Sequence, residues 1–510
     1  MAQFNHPLRR WLPLVVSGVV LAAFFIVARA TYQRFPPVWP DEAVIADAAV
    51  YLTKTGRLGS LAFAGVYPGI STHWFGYPPG FEWLLAGVYT ILPPTLSVTR
   101  GVSQMWALSA LAGLGLCAWR LSGSRWLGAI AVALFALDPA VLRAANVARM
   151  DMASVALGLW GSFLYLSFQE RPKRAAWLAF GAGLLAGLSF VMHWLGALVV
   201  VAMGVHYVVC ERQRSFARAS LWAMLGGVAV GMLPWAVTVL PSWDLFVTQF
   251  SRAAARKQLM GQSESLWRVA RRAFEIYGPL APVGFFFAAM LVTCGVAALV
   301  RRRASTWGYV FCAALATTAF GILFRELWYT LYFAPYLHLA ALVTAFALWT
   351  GGRRLMRAGA ELLVAGIAVV LAAALALVLS REPPPPTNLD RHQMAEQVME
   401  HCPPGSHILI AAVPDPWFDL YSAGRGYVLY EFVPRGLKPE PDYEAKVLEG
   451  VDFIIDDSPW GLGASTVYGP FLRRRARQVL VLPAGEGAFR LYDVRSRPWP
   501  NSKLETRNSN

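Results

Sequence analysis

Apolar residues come in long blocks, separated by short basic stretches and by a few longer polar ones. Arg9 and Arg10 precede a run from Trp11 to Ala30 which, at about 20 residues, is long enough to cross a bilayer. Further blocks at residues 101–120, 125–142, 152–169, 175–193, 195–211, 220–240, 279–300, 306–324, 327–350 and 360–380 predict about eleven spans in all. Basic residues mark alternate ends: Arg120 and Arg125, then Arg171, Lys173 and Arg174, then Arg212, Arg214 and Arg218, then Arg301 to Arg303, then Arg353, Arg354 and Arg357. The positive-inside rule makes these ends and the N-terminus cytoplasmic, and puts the tail outside. That alternation requires the apolar piece 81–94, which is too short to cross, to lie at the surface or re-enter. Ala28-Arg29-Ala30 also mimics a signal-peptidase site, but the run before it exceeds the roughly 7–15 residues of a signal core.

Three stretches break the block pattern. Residues 41–52 are periodic enough for an amphipathic helix, opened by Pro40 and Asp41, with Asp41 as the expected N-cap, and ended by Gly56. Residues 241–278, expected as an outer loop, carry Arg252, Arg256, Lys257, Arg268, Arg271 and Arg272 among aromatic and aliphatic side chains. Such a stretch reads either as an amphipathic helix on anionic headgroups or as a cationic lip for a lipid phosphate. Beyond the last block, Pro383 to Pro386 form a stiff hinge. There follow a helix at 389–401 and short apolar runs at 407–413, 427–433, 451–456, 479–483 and 489–494, separated by turn residues, which predict a small α/β domain with a mixed sheet. The expected organisation is therefore a membrane domain at 1–380, a hinge at 381–386 and an extracytoplasmic domain at 387–510.

Composition narrows the class. Of 510 residues, 56% are hydrophobic and only 15% charged, which excludes an ordinary soluble protein. The net charge of +15 lies mostly in the short loops, where it sets membrane orientation and does not point to nucleic acid. Cys117, Cys210, Cys294 and Cys312 fall in or beside apolar blocks and Cys402 stands alone in the tail, so no disulfide framework is implied. The tail has no glycine-rich phosphate loop, no paired Cys or His ligands and no nucleophile elbow.

The polar residues that could do chemistry collect at predicted outer edges. Trp39-Pro40-Asp41-Glu42 follows the first span and leads a helix ending in Lys54-Thr55-Gly56. Downstream come Tyr77-Pro78-Pro79-Gly80-Phe81-Glu82-Trp83-Leu84-Leu85 and then Arg100, which opens the next span. This combination resembles the GT-C superfamily of membrane glycosyltransferases, which includes protein O-mannosyltransferases and lipid A aminoarabinose transferases. The resemblance covers roughly the first third of the chain by motif and the rest by architecture. It implies a helical polytopic fold in the cytoplasmic (inner) membrane and inverting transfer from a polyprenyl-phosphate-linked sugar to a glycan, lipid or protein acceptor. Asp41 would be the general base and Glu42 its support. Asp151, in Ala148-Arg149-Met150-Asp151, resembles the second acid of such enzymes, although its surroundings are less typical; Asp138 and Arg143 are weaker contenders.

Arg256, Lys257 and Arg325 would hold the donor phosphate, and His73, Tyr77, Glu82, Arg149 and Tyr329 would line the substrate pocket. His73 and His193 could complete a divalent-metal site or be simple hydrogen-bonded interface histidines; Arg325 could instead pair with Glu326 or snorkel. Two other classes fit parts of the pattern: a lipid or glycolipid transporter, whose expected internal repeat and mid-membrane charges are absent, and a non-catalytic scaffold. The tail is expected to aid acceptor recognition and not the chemical step. Its Pro416-Trp417-Phe418 and Pro459-Trp460-Gly461 loops would stack on sugar rings, cover the domain's own core or rest on the membrane.

Overall fold

The structure, a computed structural model, describes residues 7–168, 175–210, 219–262, 305–324, 391–434, 437–457, 462–484 and 487–495. The blocks at 279–300, 327–350 and 360–380, the proline hinge, Arg325, Tyr329 and Pro459-Trp460-Gly461 lie outside the described residues. The chain divides into two compact units: Met1–Pro36, Ala48–Leu58 and Trp74–Pro383 form the first, and Pro37–Asp47, Gly59–His73 and Pro384–Asn510 the second.

The first unit is helical. Its elements are α1 (Pro7–Thr31), the end of α2 (Pro40–Thr55), α3 (Gly80–Tyr89), α4 (Leu96–Ser122), α5 (Arg125–Ala136), α6 (Pro139–Ala145), α7 (Asp151–Phe168), α8 (Ala175–Met192), α9 (Ala197–Cys210), α10 (Ala219–Val239), α11 (Trp243–Gln262) and α12 (Ser305–Phe324). Among the described residues, five helices are long and apolar enough to cross a membrane, or six if the bent pair α5 and α6 counts as one span. The chain is thus a multi-pass membrane protein. At ten residues α3 is too short to span, as expected. The helices start and stop where local chemistry dictates. Thr95 caps α4 by accepting from the Val98 N–H at 3.3 Å, and Gly123 ends it in the left-handed region, at φ 70°.

Two span boundaries differ from those the hydropathy predicts. The block 125–142 is broken: Asp138 accepts the Ala140 N–H at 2.8 Å and Pro139 begins α6, so the chain turns by 72° between the two helices. A cap and a proline inside an apolar run are invisible to a hydropathy window but decide the backbone. Beyond residue 240 the chain stays helical to Gln262, in keeping with the amphipathic-helix reading of that stretch, with α10 running through a 3-10 turn at Leu240–Ser242 into α11. Charged residues lower the hydropathy there without stopping the helix.

Buried Phe24, Leu111, Leu114, Phe135, Leu159 and Tyr165 belong to one core that joins α1, α4, α5 and α7. Helices α8 and α10 approach through glycine: a Cβ at Gly183 would stand 2.0 Å from the Met224 carbonyl oxygen, and one at Gly227 2.1 Å from that of Phe180. In lipid, where apolar surface alone does not drive helices together, such close backbone packing does.

The second unit carries a five-stranded mixed sheet of β1 (His407–Ala411), β2 (Val428–Glu431), β3 (Phe453–Asp457), β4 (Arg477–Ala484) and β5 (Gly487–Asp493), in the order β2-β1-β3-β5-β4. Strand β1 is parallel to β2 and β3, while β5 is antiparallel to β3 and β4. Helix α13 (Arg391–His401) precedes β1. The strands match the sequence-based expectation of a small mixed-sheet domain, and the helix ends at His401 as expected. Pro416-Trp417-Phe418 resolves to the core reading: Trp417 and Phe418 are buried, and Trp417 stacks on Tyr421 at 4.9 Å.

Candidate active site

Five of the residues singled out from sequence come together in the first unit. Asp151 is the first residue of α7, where helix dipole and free backbone N–H groups favour a negative charge. Its Oδ2 meets Arg149 Nε at 3.2 Å, and its Oδ1 faces His193 Nε2 at 3.7 Å. His193 Nδ1 accepts the Leu195 N–H at 3.1 Å, so in the neutral ring the proton sits on Nε2, towards Asp151. The Arg149 guanidinium lies 5.8 Å from the centre of the Tyr77 ring, and that ring is 6.3 Å from His193 and 6.2 Å from Trp74. Trp74 Nε1 donates to Glu82 Oε1 at 2.9 Å.

The Tyr77-Pro78-Pro79-Gly80 stretch reaches this group because Gly80 abuts α8 directly: a Cβ there would stand 2.8 Å from the Val191 carbonyl oxygen, two residues before His193. Glu82 is fully buried, and burial pushes its carboxyl up to about 7 against the lowering effect of the Trp74 bond. Gln249, on α11, accepts the Phe75 N–H at 3.0 Å and ties that helix to the same stretch. Arg100 does not open its span; it lies one turn inside α4, fully buried, and donates to the carbonyls of Tyr32 and Pro36.

Asp41, Glu42 and His73 belong to the second unit. Helix α2 begins at Pro40, so Asp41 is not its N-cap but its second residue, and Glu42 its third. Glu42 Oε1 reaches back to accept the Trp39 N–H at 3.1 Å, which is the return half of a capping box. Proline at the first helical position, preset in φ and lacking an N–H, explains the one-residue shift. Glu42 is buried while Asp41 keeps partial exposure. Asp47, one turn on, accepts from Ser60 Oγ at 2.9 Å and from the Ala62 N–H at 3.0 Å, which orders the segment Gly59–His73. His73 is exposed, its Nδ1 3.0 Å from Thr72 Oγ1.

The C-terminal chain meets this motif with acids that sequence reasoning missed. The Asp415 N–H donates to the Val38 carbonyl at 2.9 Å and the Glu431 N–H to the Ala62 carbonyl at 2.8 Å. Both carboxyls are buried, and they lie close enough to act on each other's titration. Burial pushes Asp415 up to about 7. It pushes Glu431 well above its ordinary range, with the charges of Asp415, Asp47 and Asp41 adding to the effect. The one legible signal was parity: Glu431 shares the buried face of β2 with Leu429, a position where a lone acid is out of place. The motif's first turns pack with the tail, so the tail is not remote from the acidic motif.

Among the described residues no group of three or more His, Cys, Asp or Glu side chains is arranged to hold a metal ion. His73 belongs to the second unit and His193 to the first. Arg256 and Lys257 fall on α11, Arg256 partly exposed.

No family model and no curated protein matches the chain. Among solved structures it is similar to ArnT from Cupriavidus metallidurans bound to undecaprenyl phosphate, with TM-score 0.61 and 15% identity over 95% of this chain and 99% of that one. The apo state of the same ArnT gives 0.60 and 15% over 95% and 98%. The Archaeoglobus fulgidus oligosaccharyltransferase in complex with Zn and sulfate gives 0.56 and 12%, over 93% of this chain and 73% of that one. At these identities the likeness is one of fold.

Proposed function

We propose that this protein is an integral-membrane glycosyltransferase that moves a sugar from a polyprenyl-phosphate donor to a cell-envelope acceptor on the extracytoplasmic side. The observation that carries this reading is the fold likeness, over nearly the whole of both chains, to a protein bound to undecaprenyl phosphate. The chain's own residues supply the parts such a transfer needs. Asp41, partly exposed at the start of α2, takes the proton of the acceptor hydroxyl; the oxygen attacks the anomeric carbon, and the bond to phosphate breaks with its electron pair leaving on the phosphate. Glu42, fixed by the Trp39 N–H, supports that turn. Arg256, Lys257 and Arg325 are assigned to the donor phosphate, whose departing charge needs cations. Tyr77, Arg149, Asp151 and His193 form a polar wall in the first unit: Arg149 is held by Asp151, lies near Tyr77 and is suited to orienting a phosphate or sugar hydroxyl. Glu82 joins the same wall through its bond from Trp74, and His73 and Tyr329 are assigned to the substrate pocket.

A transporter for the same lipid would move the donor without cleaving it. The test is the purified protein in nanodiscs with a panel of undecaprenyl-phosphate sugars, together with mass spectrometry of envelope glycans and glycoproteins from a deletion strain. Release of undecaprenyl phosphate, and loss of one sugar from one envelope component, are expected. Intact donor after prolonged incubation with envelope acceptors, and an unchanged glycan profile, would remove the reading.

A further inference from the structure

Asp415 follows the carboxyl end of β1 and Glu431 closes β2, so both stand at the carboxyl edge of the parallel part of the sheet, where open α/β sheets commonly place functional groups. Asp415 Oδ2 and both carboxyl oxygens of Glu431 find no N–H or O–H donor among the described residues except through each other's carboxyl. Two buried carboxyls can hydrogen-bond only if one keeps its proton. The groups facing the pair are Asp41, Glu42 and Asp47 from α2, Arg391 from α13, and Tyr468. Arg391 is already engaged by Asp419 at 2.5 Å. The backbones of these two acids hold Val38 and Ala62, on either side of the acidic helix start.

We infer that Asp415 and Glu431 are positioning residues, which by sharing one proton hold the Pro37–Asp47 and Gly59–His73 segments on the sheet and so set the place of Asp41. The inference rests on Asp41 being the reacting acid. With the proton present, the pair carries a single charge and the segments stay docked. Without it, two carboxylates face each other beside Asp41, Glu42 and Asp47, and the like charges drive the segments off.

The pH window follows from the shifts. Both carboxyls sit above their ordinary values of 3.8 and 4.5, Asp415 at about 7 and Glu431 beyond its usual range through burial. The docked state therefore binds the proton more tightly than the undocked one. The stability this contributes is complete below pH 4 and is lost as pH rises through about 7 and on into the alkaline range.

The experiment is hydrogen exchange of the full-length protein in nanodiscs from pH 6 to 9, corrected for intrinsic rates and followed in peptides covering 37–47 and 59–73. In the wild type, protection of both segments falls with pH, by up to about tenfold per unit for one proton. Glu431→Gln and Asp415→Asn, whose amides donate without a titrating proton, flatten that dependence, while the exposed control Asp442→Asn behaves as wild type. In parallel, kcat for sugar transfer should show an alkaline limb that Glu431→Gln moves to higher pH, with KM for the donor unmoved. Protection that is independent of pH in the wild type, or a wild-type slope in both amide variants, overturns the inference. Exchange as expected with no turnover of any polyprenyl-phosphate sugar leaves the pair standing and removes the glycosyltransferase reading.

Discussion

Asp151 and Glu431 are both sealed from water, each in its own unit, yet their neighbours are opposite in sign. Asp151 meets Arg149 at 3.2 Å and faces His193 at 3.7 Å. Glu431 meets Asp415 and lies in the field of Asp41 and Asp47. A buried carboxylate matched by a guanidinium can remain a fixed charge, whereas a buried acid among acids lowers its cost by keeping a proton. The first arrangement suits a wall that orients charged substrate groups. The second suits a support whose strength depends on pH.

The comparison can be broken most sharply by removing the support altogether. A chain truncated after Arg381 leaves Pro37–Asp47 and Gly59–His73 without the Asp415 and Glu431 backbones that bind Val38 and Ala62, so transfer should fall as far as if the base itself were lost, about 10²–10⁴-fold. Turnover near that of the full chain would return the tail to acceptor recognition alone. An alkaline-phosphatase fusion at residue 381 should be active, because the proposed topology places the tail outside.

The matched charge is probed next. Arg149→Gln leaves Asp151 buried without its guanidinium and should cost about 3–5 kcal/mol, while Arg149→Gln with Asp151→Asn should recover part of that loss. Thermal unfolding in detergent measures both; equal losses in single and double variants would mean that charge matching is not what holds this wall.

Glu82 extends the contrast into the first unit as a single buried acid. Its pKa of about 7, against an ordinary 4.5, means that the folded state holds the proton. The associated stability, about 3 kcal/mol, is present below pH 4.5 and lost by pH 7. Melting temperatures across pH 5–8 should therefore fall more steeply for wild type than for Glu82→Gln. The smallest effect is expected at the cap: Glu42→Gln still presents an oxygen to the Trp39 N–H and should cost no more than about 1 kcal/mol, whereas Glu42→Ala should cost more.

What the sequence made legible was whatever local chemistry decides. Pro40 and Gly56 bounded α2 and apolar runs located the five strands, while Tyr77, Glu82, Arg149 and Asp151 were singled out with segments that resemble GT-C motifs and His193 by its place at an apolar block's edge. What it hid depended on long-range packing or on averaging. The break at Asp138-Pro139 sits within one hydrophobic run, and α11 continues through charges that end a hydropathy block. Asp415 and Glu431 have no motif, and they gain meaning only when parallel strands bring their carboxyl edge to a segment far earlier in the chain.

The account turns on Asp41. Wild type and Asp41→Asn, each in nanodiscs with a cleavable undecaprenyl-phosphate sugar and envelope extract as acceptor, should bind the donor equally. Release of undecaprenyl phosphate by the variant should be slower by about 10²–10⁴-fold, because the amide can sit in the same helical turn but cannot take the acceptor's proton. Equal release by both proteins, with the variant correctly inserted, would contradict the account.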